Sequence, residues 1–155
     1  MPTFFYETYI GKIGIEEKEN CIHKVYFAKE QKPLECTIEE TPILKEASIQ
    51  LKKYLEGKLK EFTLPLCAEG TEFMHTVWDA IRMVPFGCTT TYGELAKKIG
   101  NPKAQRAVGR ACNLNPIPIF VPCHRIIGAN NKMVGYGGGI QVKEKLLLLE
   151  ANYIS

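Results

Sequence analysis

The chain has 155 residues, of which 45% are hydrophobic and 24% are charged, so it is long enough to bury a core and is not intrinsically disordered. Its net charge of +3 permits an anionic partner but excludes a uniformly basic, histone-like protein. No window approaches the roughly 18 apolar residues of a membrane span, and the N-terminus lacks a signal-peptide pattern. We therefore expect a cytoplasmic protein, or a nuclear one in a eukaryote, with no membrane partner.

The first third of the chain has the pattern of short strands. Apolar and aromatic residues over 4–10 and 22–28 predict two strands, separated by a glycine-containing turn at 11–14 and a polar break. A helix is predicted next, because Thr41 can cap its start and Pro42 suits its first position. Its apolar face consists of Leu44, Ala47, Leu51 and Leu55, and Gly57 follows its end.

Helical patterns dominate the second half of the chain. Thr71 is placed to cap a helix that Pro85 ends. Thr91 and Glu94 have the spacing of a capping box at the start of the next helix. These patterns predict two domains, an α/β domain over residues 1–69 and a mostly helical domain over residues 70–155.

A further short helix follows the Asn101-Pro102 turn and has two contrasting faces. Its spacing predicts a buried face made of Ala104, Ala107, Val108, Ala111 and Cys112. The opposite face carries the cations Lys103, Arg106 and Arg110. The helix pair has the outline of a helix-turn-helix, but an ordinary αα-hairpin with a solvated basic face fits equally well. Small residues and long cations in the second helix favour DNA as its partner.

Six scattered cysteines do not have the spacing of a disulfide framework, so we expect free thiols. The first half contains Cys21, His23, Cys36 and Cys67, yet no CxxC or HxxxH pair marks a zinc site. We expect neither a metal nor another cofactor.

The stretch PIFVPCHRIIG, residues 118–128, places Cys123 directly before His124. A thiol attacks only as a thiolate, so a nucleophilic cysteine needs a nearby base. Neighbours on a plain strand point to opposite faces, but Pro122 indicates a turn, and a water can relay the proton. Core packing of both side chains is the common alternative, and the residues of this stretch leave nucleophile, ligand and core all open.

Three segments between residues 73 and 150 occur together: YGELAKKIGNPKAQRAVGRACNLNPIPI, PCHR, and GYGGG followed by KEKLLLLE. In combination they resemble the O6-alkylguanine-DNA alkyltransferases, also called methylated-DNA–protein-cysteine methyltransferases. The resemblance implies a ribonuclease-H-like α/β N-terminal domain and a winged-helix-like, mostly α C-terminal domain with a helix-turn-helix. It also implies direct repair of O6-alkylguanine, and less efficiently O4-alkylthymine, in double-stranded DNA, with one transfer per molecule.

The resemblance assigns roles to five residues of a catalytic site. Cys123 matches the alkyl acceptor, His124 the base that deprotonates it through a water, and Glu150 the carboxylate that orients the histidine. Tyr92 matches the tyrosine that crowds the adjoining phosphate and hydrogen-bonds the leaving base. Asn115 matches the asparagine that ties the recognition helix to the active-site turn. Without the resemblance, Glu150 would be a surface charge and Tyr92 a packing aromatic.

The same resemblance implies that a monomer binds in the minor groove and flips the target base, with Arg106 filling the gap in the stack. Other DNA-binding positions are then Tyr92, Lys103, Ala107, Gly109 and Arg110. The base pocket is expected to contain Cys112, Val134, Tyr136 and Gly137. We expect Arg125 to be an ion-pair partner rather than a catalyst, because guanidinium stays charged at neutral pH.

Two positions depart from the family pattern. Gly137 stands where many relatives carry serine or alanine, and Cys88 occupies a loop position that is commonly polar. Two other functions are compatible with parts of this pattern. A non-enzymatic lesion-binding protein on the same scaffold would lack the acceptor cysteine, which is present here as Cys123. A cysteine hydrolase would turn over and needs no basic helix.

Overall fold

The computed structural model describes residues 1–27, 36–129, 136 and 138–153. The chain divides into two compact units, Met1–Glu69 and Gly70–Ser155. Across these described ranges, every helix is too short or too polar to span a bilayer.

The first unit contains a sheet and one helix. Its strands are β1 Pro2–Thr8, β2 Gly11–Lys18, β3 Cys21–Phe27 and β4 Thr37–Ile38. Their order in the sheet is β3-β2-β1-β4. The first three strands are antiparallel, whereas β4 runs parallel to β1. Ala28, the last residue of the strand predicted over 22–28, lies outside the described residues.

The prediction of a turn at 11–14 is wrong, because these residues belong to strand β2. Ile13 and Ile15 are fully buried and pair with β1 on one side and β3 on the other. The next reversal comes at Glu19 and Asn20, whose φ angles of 51° and 62° are those of a tight hairpin turn. Glycines and polar residues indicated a turn locally, but pairing on both sides and burial of the isoleucines favour a strand.

Helix α1, Pro42–Leu55, confirms the predicted capping and apolar face. Thr41 Oγ1 accepts a hydrogen bond from the Leu44 backbone N–H at 3.4 Å, and Gly57 follows with φ of 77°. The helix packs against the sheet, and each large apolar side chain buried there contributes about 1.5–3 kcal/mol. The completely buried or nearly buried apolar residues on this helix are Leu44, Ala47, Leu51, Tyr54 and Leu55.

The second unit is mostly helical. Its helices are α2 Glu72–Arg82, α3 Tyr92–Lys98, α4 Gln105–Asn113 and α5 Ile140–Asn152. A short 3-10 helix, Cys123–Arg125, leads directly into β6, Ile126–Ile127. Strand β5, Thr90–Thr91, pairs in parallel with β6. This pairing holds the start of α3 beside the residues that follow Cys123.

Two threonine caps predicted in this unit are confirmed. Thr71 Oγ1 accepts from the Met74 backbone N–H at 3.2 Å, and Thr91 Oγ1 accepts from the Glu94 N–H at 3.1 Å. The Glu94 carboxylate lies 3.6 Å from Lys97 Nζ. These caps satisfy orphan backbone donors and define where α2 and α3 begin.

A hydrogen bond from α2 holds helix α4 in place. Trp78 Nε1 donates to the Ala111 carbonyl oxygen at 2.9 Å, and both residues are buried. The predicted buried face is confirmed at Val108, Ala111 and Cys112. It is wrong for Ala107, which is exposed in the first turn of α4 at the edge of the buried stripe, and for Ala104, which is only partly buried and precedes the helix.

Candidate active site

Cys123 and His124 lie in a tight turn rather than on a strand. The Cys123 backbone N–H donates to the Val121 carbonyl at 2.8 Å, and the Arg125 N–H donates to the Pro122 carbonyl at 3.0 Å. The turn indicated by Pro122 is therefore confirmed. Because a 3-10 helix does not send successive side chains to opposite faces, the thiol and the imidazole are not forced apart.

His124 belongs to a buried cluster of three charged or titratable side chains, together with Arg125 and Glu150. The His124 Nε2 and Glu150 Oε2 atoms are hydrogen-bonded at 2.6 Å. Arg125 Nε donates to Glu150 Oε1 at 2.8 Å, and Arg125 Nη2 donates to Oε2 at 3.1 Å. The exposed fractions are 0% for His124, 6% for Arg125 and 1% for Glu150. The predicted ion pair of Arg125 is confirmed, and it balances the buried carboxylate.

Two backbone groups complete this cluster. The Gly87 N–H donates to Glu150 Oε1 at 3.0 Å, and Arg125 Nη1 donates to the Val84 carbonyl at 2.7 Å. Burial lowers the pKa of His124 from its ordinary value of 6.5, while Glu150 opposes this shift. The imidazole is therefore neutral near pH 7 and able to accept a proton.

The Cys123 thiol is 8% exposed, and its burial raises the pKa to about 11. A hydrogen bond from Asn115 and the positive charge of Lys143 both act in the opposite direction. At neutral pH the resting group is thus a thiol, and formation of the thiolate requires a base.

Asn115 connects the end of α4 to the turn before Cys123. Its Nδ2 donates to the Val121 carbonyl at 3.0 Å, and its Oδ1 accepts from the Ile117 N–H at 3.0 Å. Since Asn115 also lowers the pKa of the Cys123 thiol, one side chain both holds the turn and favours the thiolate of the acceptor.

Tyr92, the first residue of α3, is half-buried close to two thiols. Burial raises the pKa of Tyr92 to about 12, and negative charge on Cys112 or Cys123 raises it further. The phenol is therefore protonated at neutral pH and can donate a hydrogen bond. A Cβ at Gly109 would lie 3.9 Å from the Tyr92 ring, so α4 passes the ring at van der Waals distance.

Tyr136 lies beside His124. The two rings meet edge to face, with centroids 6.5 Å apart and planes at 89°. Such a contact is favourable and restricts the orientation of both rings. The remaining expected pocket residues in this loop, Val134 and Gly137, lie outside the described residues.

The predicted cations of α4, and Lys103 in the turn before this helix, lie on the surface. Lys103, Arg106 and Arg110 are exposed, as is Ala107, whereas Gly109 is partly buried. The structure therefore presents three cations around a backbone with little side-chain bulk. A surface of this kind suits a polyanion that must come close to the main chain.

Within the described ranges of both units, no three His, Cys, Asp or Glu side chains are arranged to bind a metal ion. His23 Nδ1 instead lies 3.0 Å from the Cys67 carbonyl oxygen.

Family models match both parts of the chain. The DNA-binding domain of 6-O-methylguanine DNA methyltransferase matches residues 72–152, and the ribonuclease-like domain of the same family matches residues 3–68. The chain belongs to the 6-O-methylguanine DNA methyltransferase family. It therefore has the two-domain fold of this family, with an N-terminal ribonuclease-like domain and a C-terminal DNA-binding domain.

Members of this methyltransferase family from archaea and bacteria are similar over nearly the whole chain. The methylated-DNA–protein-cysteine methyltransferase of Methanosarcina acetivorans is 49% identical, covering 95% of this chain and 96% of its own. The constitutive enzyme of Bacillus subtilis is 41% identical, covering 93% and 92%. The structure of Mycobacterium tuberculosis OGT in complex with DNA superposes with a TM-score of 0.92 at 38% identity, covering 99% and 94%.

One residue of this methyltransferase site was missed by sequence reasoning. Lys143 is 1% exposed, and its Nζ donates to the Ile126 carbonyl at 2.6 Å. Its charge lowers the pKa of both Cys123 and Cys112. The sequence offers little indication that Lys143 is buried. KEKLLLLE has the pattern of an amphipathic helix, in which a lysine is normally assigned to the solvent-exposed face.

Proposed function

We propose that this protein repairs O6-alkylguanine in double-stranded DNA by transferring the alkyl group to Cys123, once per molecule. The main support is the buried turn that places Cys123 next to the hydrogen-bonded His124–Glu150 pair. The relatives of this chain are named as methylated-DNA–protein-cysteine methyltransferases. O4-alkylthymine is a slower substrate of the same site.

His124 is the base in this proposal. Its Nε2 is hydrogen-bonded to Glu150, so the tautomer with a proton on Nε2 has its lone pair on Nδ1. A water between Nδ1 and the thiol takes the Cys123 proton and passes one to the ring. Glu150 then stabilises the imidazolium, while Asn115 and Lys143 stabilise the thiolate.

The transfer step is an in-line displacement at carbon. The Cys123 thiolate attacks the alkyl carbon attached to O6, a C–S bond forms, and the C–O bond breaks with its electron pair going to the purine. Tyr92 donates a hydrogen bond to the base and transfers its phenolic proton to it, so that the base leaves as neutral guanine, and the tyrosinate then regains a proton from solvent. A thioether has no good leaving group, so the protein is consumed in the reaction.

Helices α3 and α4 act as a helix-turn-helix of a winged-helix-like domain. A target base inside a duplex must be rotated outward before a buried thiol reaches it. We assign this to binding in the minor groove, with exposed Arg106 inserted into the stack. Lys103 and Arg110 contact phosphates, and the small residues Ala107 and Gly109 permit close approach.

The domains in this proposal are residues 1–69 and 70–155, the latter holding both the acceptor and the DNA-binding surface. The protein acts as a monomer. It works where chromosomal DNA is found, which is the cytoplasm of a prokaryote or the nucleus of a eukaryote. Alkyl transfer by thiol displacement needs no cofactor.

The experiment is to mix the protein with duplex DNA containing O6-methylguanine and to measure the mass of the intact protein. We expect a gain of one methyl group, no gain in Cys123→Ala, and a normal gain in Cys88→Ala, which removes an exposed thiol. Unmodified protein beside bound but unrepaired DNA would instead favour a lesion-binding protein. Product exceeding one equivalent would favour a hydrolase.

A further inference from the structure

Two cysteines outside the alkyl-transfer site lie together in the N-terminal unit. Cys21 begins β3, and Cys67 lies in a segment that pairs with the next residue of that strand. The Ile22 N–H donates to the Pro65 carbonyl at 2.9 Å, and the Cys67 N–H donates to the Ile22 carbonyl at 2.8 Å. These bonds hold the backbones of both cysteines in place before any covalent link forms.

The side chain of Cys67 turns toward Cys21. Its Sγ lies 3.4 Å from the Ile22 carbonyl oxygen and 3.9 Å from that of Lys18. Lys18 is the residue paired with Cys21 across the β2–β3 turn, so the two carbonyls flank Cys21. Both cysteines line the same cavity, and the neighbouring Cys21 thiol contributes to the raised pKa of Cys67. Since Cys67 Sγ lies beside the carbonyls that flank Cys21, side-chain movement can bring the two sulfur atoms to disulfide geometry.

Both thiols are accessible to small solutes. Each side chain is partly exposed, and both line one open surface cavity of about 300 Å³. Lys18, Glu19 and Glu69 form the polar part of its wall. Because the cavity is open, a flexible reagent the size of a tripeptide can place its sulfur atom beside either cysteine.

We propose that Cys21 and Cys67 form a reversible intramolecular disulfide when the protein meets a low-molecular-weight disulfide of the glutathione type. The Cys21 thiolate attacks one sulfur of the small disulfide, whose S–S bond breaks and releases one small thiol. The Cys67 sulfur then attacks Cys21 Sγ, loses its proton and releases the second small thiol. The two protein thiols are oxidised and the small disulfide is reduced.

The order of these steps follows from the environment of Cys67. Burial raises the pKa of Cys67 to about 12, and the neighbouring Cys21 thiol adds to this shift. Since the thiolate is the nucleophile, the raised pKa makes Cys67 a poor first attacker, and it acts as the resolving thiol from the same cavity wall.

The crosslink closes a loop that contains β4 and α1. Closing a long loop restricts the unfolded chain and stabilises the folded state. The oxidised protein is therefore expected to unfold at a temperature several degrees higher than the reduced protein, and a dithiol reductant should reverse the shift.

The test is to treat the full chain with oxidised glutathione, block remaining thiols and digest with trypsin without reduction. We expect a mass loss of two hydrogens, about 2 Da, and one linked species joining the peptides 19–24 and 61–82. Cys21→Ser and Cys67→Ser should each abolish it, whereas Cys36→Ser should retain it.

Three results would overturn the proposal: glutathione adducts on Cys21 or Cys67 without a linked peptide, linkage of either cysteine to another one, or equal melting temperatures for crosslinked and reduced protein. The linked peptide and the melting temperature do not depend on DNA repair, so they test this proposal separately from the function proposed for Cys123. Repeating the digestion on Cys123→Ala removes any contribution of the acceptor thiol.

Discussion

The Glu150 carboxylate holds His124 through a 2.6 Å hydrogen bond between Oε2 and Nε2, although 26 positions separate the two residues along the chain. The carboxylate is itself held by Arg125 and by the Gly87 backbone N–H. The orientation of the imidazole beside Cys123 is thus set by a buried group that has donors on both oxygens. Such support keeps a base in one tautomer and one direction.

Replacing Glu150 by glutamine should slow alkyl transfer, because a neutral amide stabilises the imidazolium poorly. We expect the rate with free O6-benzylguanine to fall by about 100-fold, the lower range for loss of acid–base assistance. Glu144→Gln, on the exposed side of α5, is the matched control and should react normally. A wild-type rate in E150Q would contradict the relay.

Folding stability should decrease on acidification because of His124. Burial lowers its folded pKa below 6.5, so just below pH 6.5 the unfolded chain binds a proton that the folded chain does not. The free energy of unfolding therefore falls as the pH drops through this window, by at most about 1.4 kcal/mol per pH unit. Urea unfolding of wild type and His124→Asn from about pH 7 to about pH 5 measures this. Parallel curves would refute the prediction.

Replacing Lys143 by methionine should move the alkylation rate profile to higher pH. Loss of the buried cation raises the pKa of Cys123, and each unit of that rise lowers the thiolate population about tenfold. Lys143→Arg retains the charge and should keep the profile, and Lys145→Met, which is exposed, is a surface control. A slower reaction with an unshifted profile in K143M would assign Lys143 a purely structural role.

Replacing Arg106 by alanine should impair repair of duplex DNA far more than reaction with free O6-benzylguanine. The exposed guanidinium contacts DNA but not Cys123 in our proposal, and an arginine contact of this kind contributes about 1–3 kcal/mol. Single-turnover rates on both substrates measure the difference. Arg82→Ala, at the exposed end of α2, should affect neither. Equal losses on both substrates would exclude insertion of Arg106 into the base stack.

Local patterns predicted much of the fold. Thr41, Pro42 and Gly57 marked the ends of α1, because capping and glycine conformations act within a few residues. The turn predicted at 11–14 was wrong because the structure of this segment depends on residues that are distant in the sequence. Hydrogen bonds from β1 and β3 make this segment a central strand, and such long-range pairing outweighs the local preference of its glycines.

In the catalytic site, too, local patterns predicted some features and long-range packing decided others. The residue pattern by itself determined the capped helices, the basic character of α4 and the thiol–imidazole neighbours, and the family resemblance added roles for Glu150, Tyr92 and Asn115. Only the tertiary structure decided that Lys143 is buried with its charge near Cys123, and that Cys21 and Cys67 line one cavity. Helix periodicity shows which residues share a face, whereas burial and electrostatic contact depend on what the rest of the chain packs against that face.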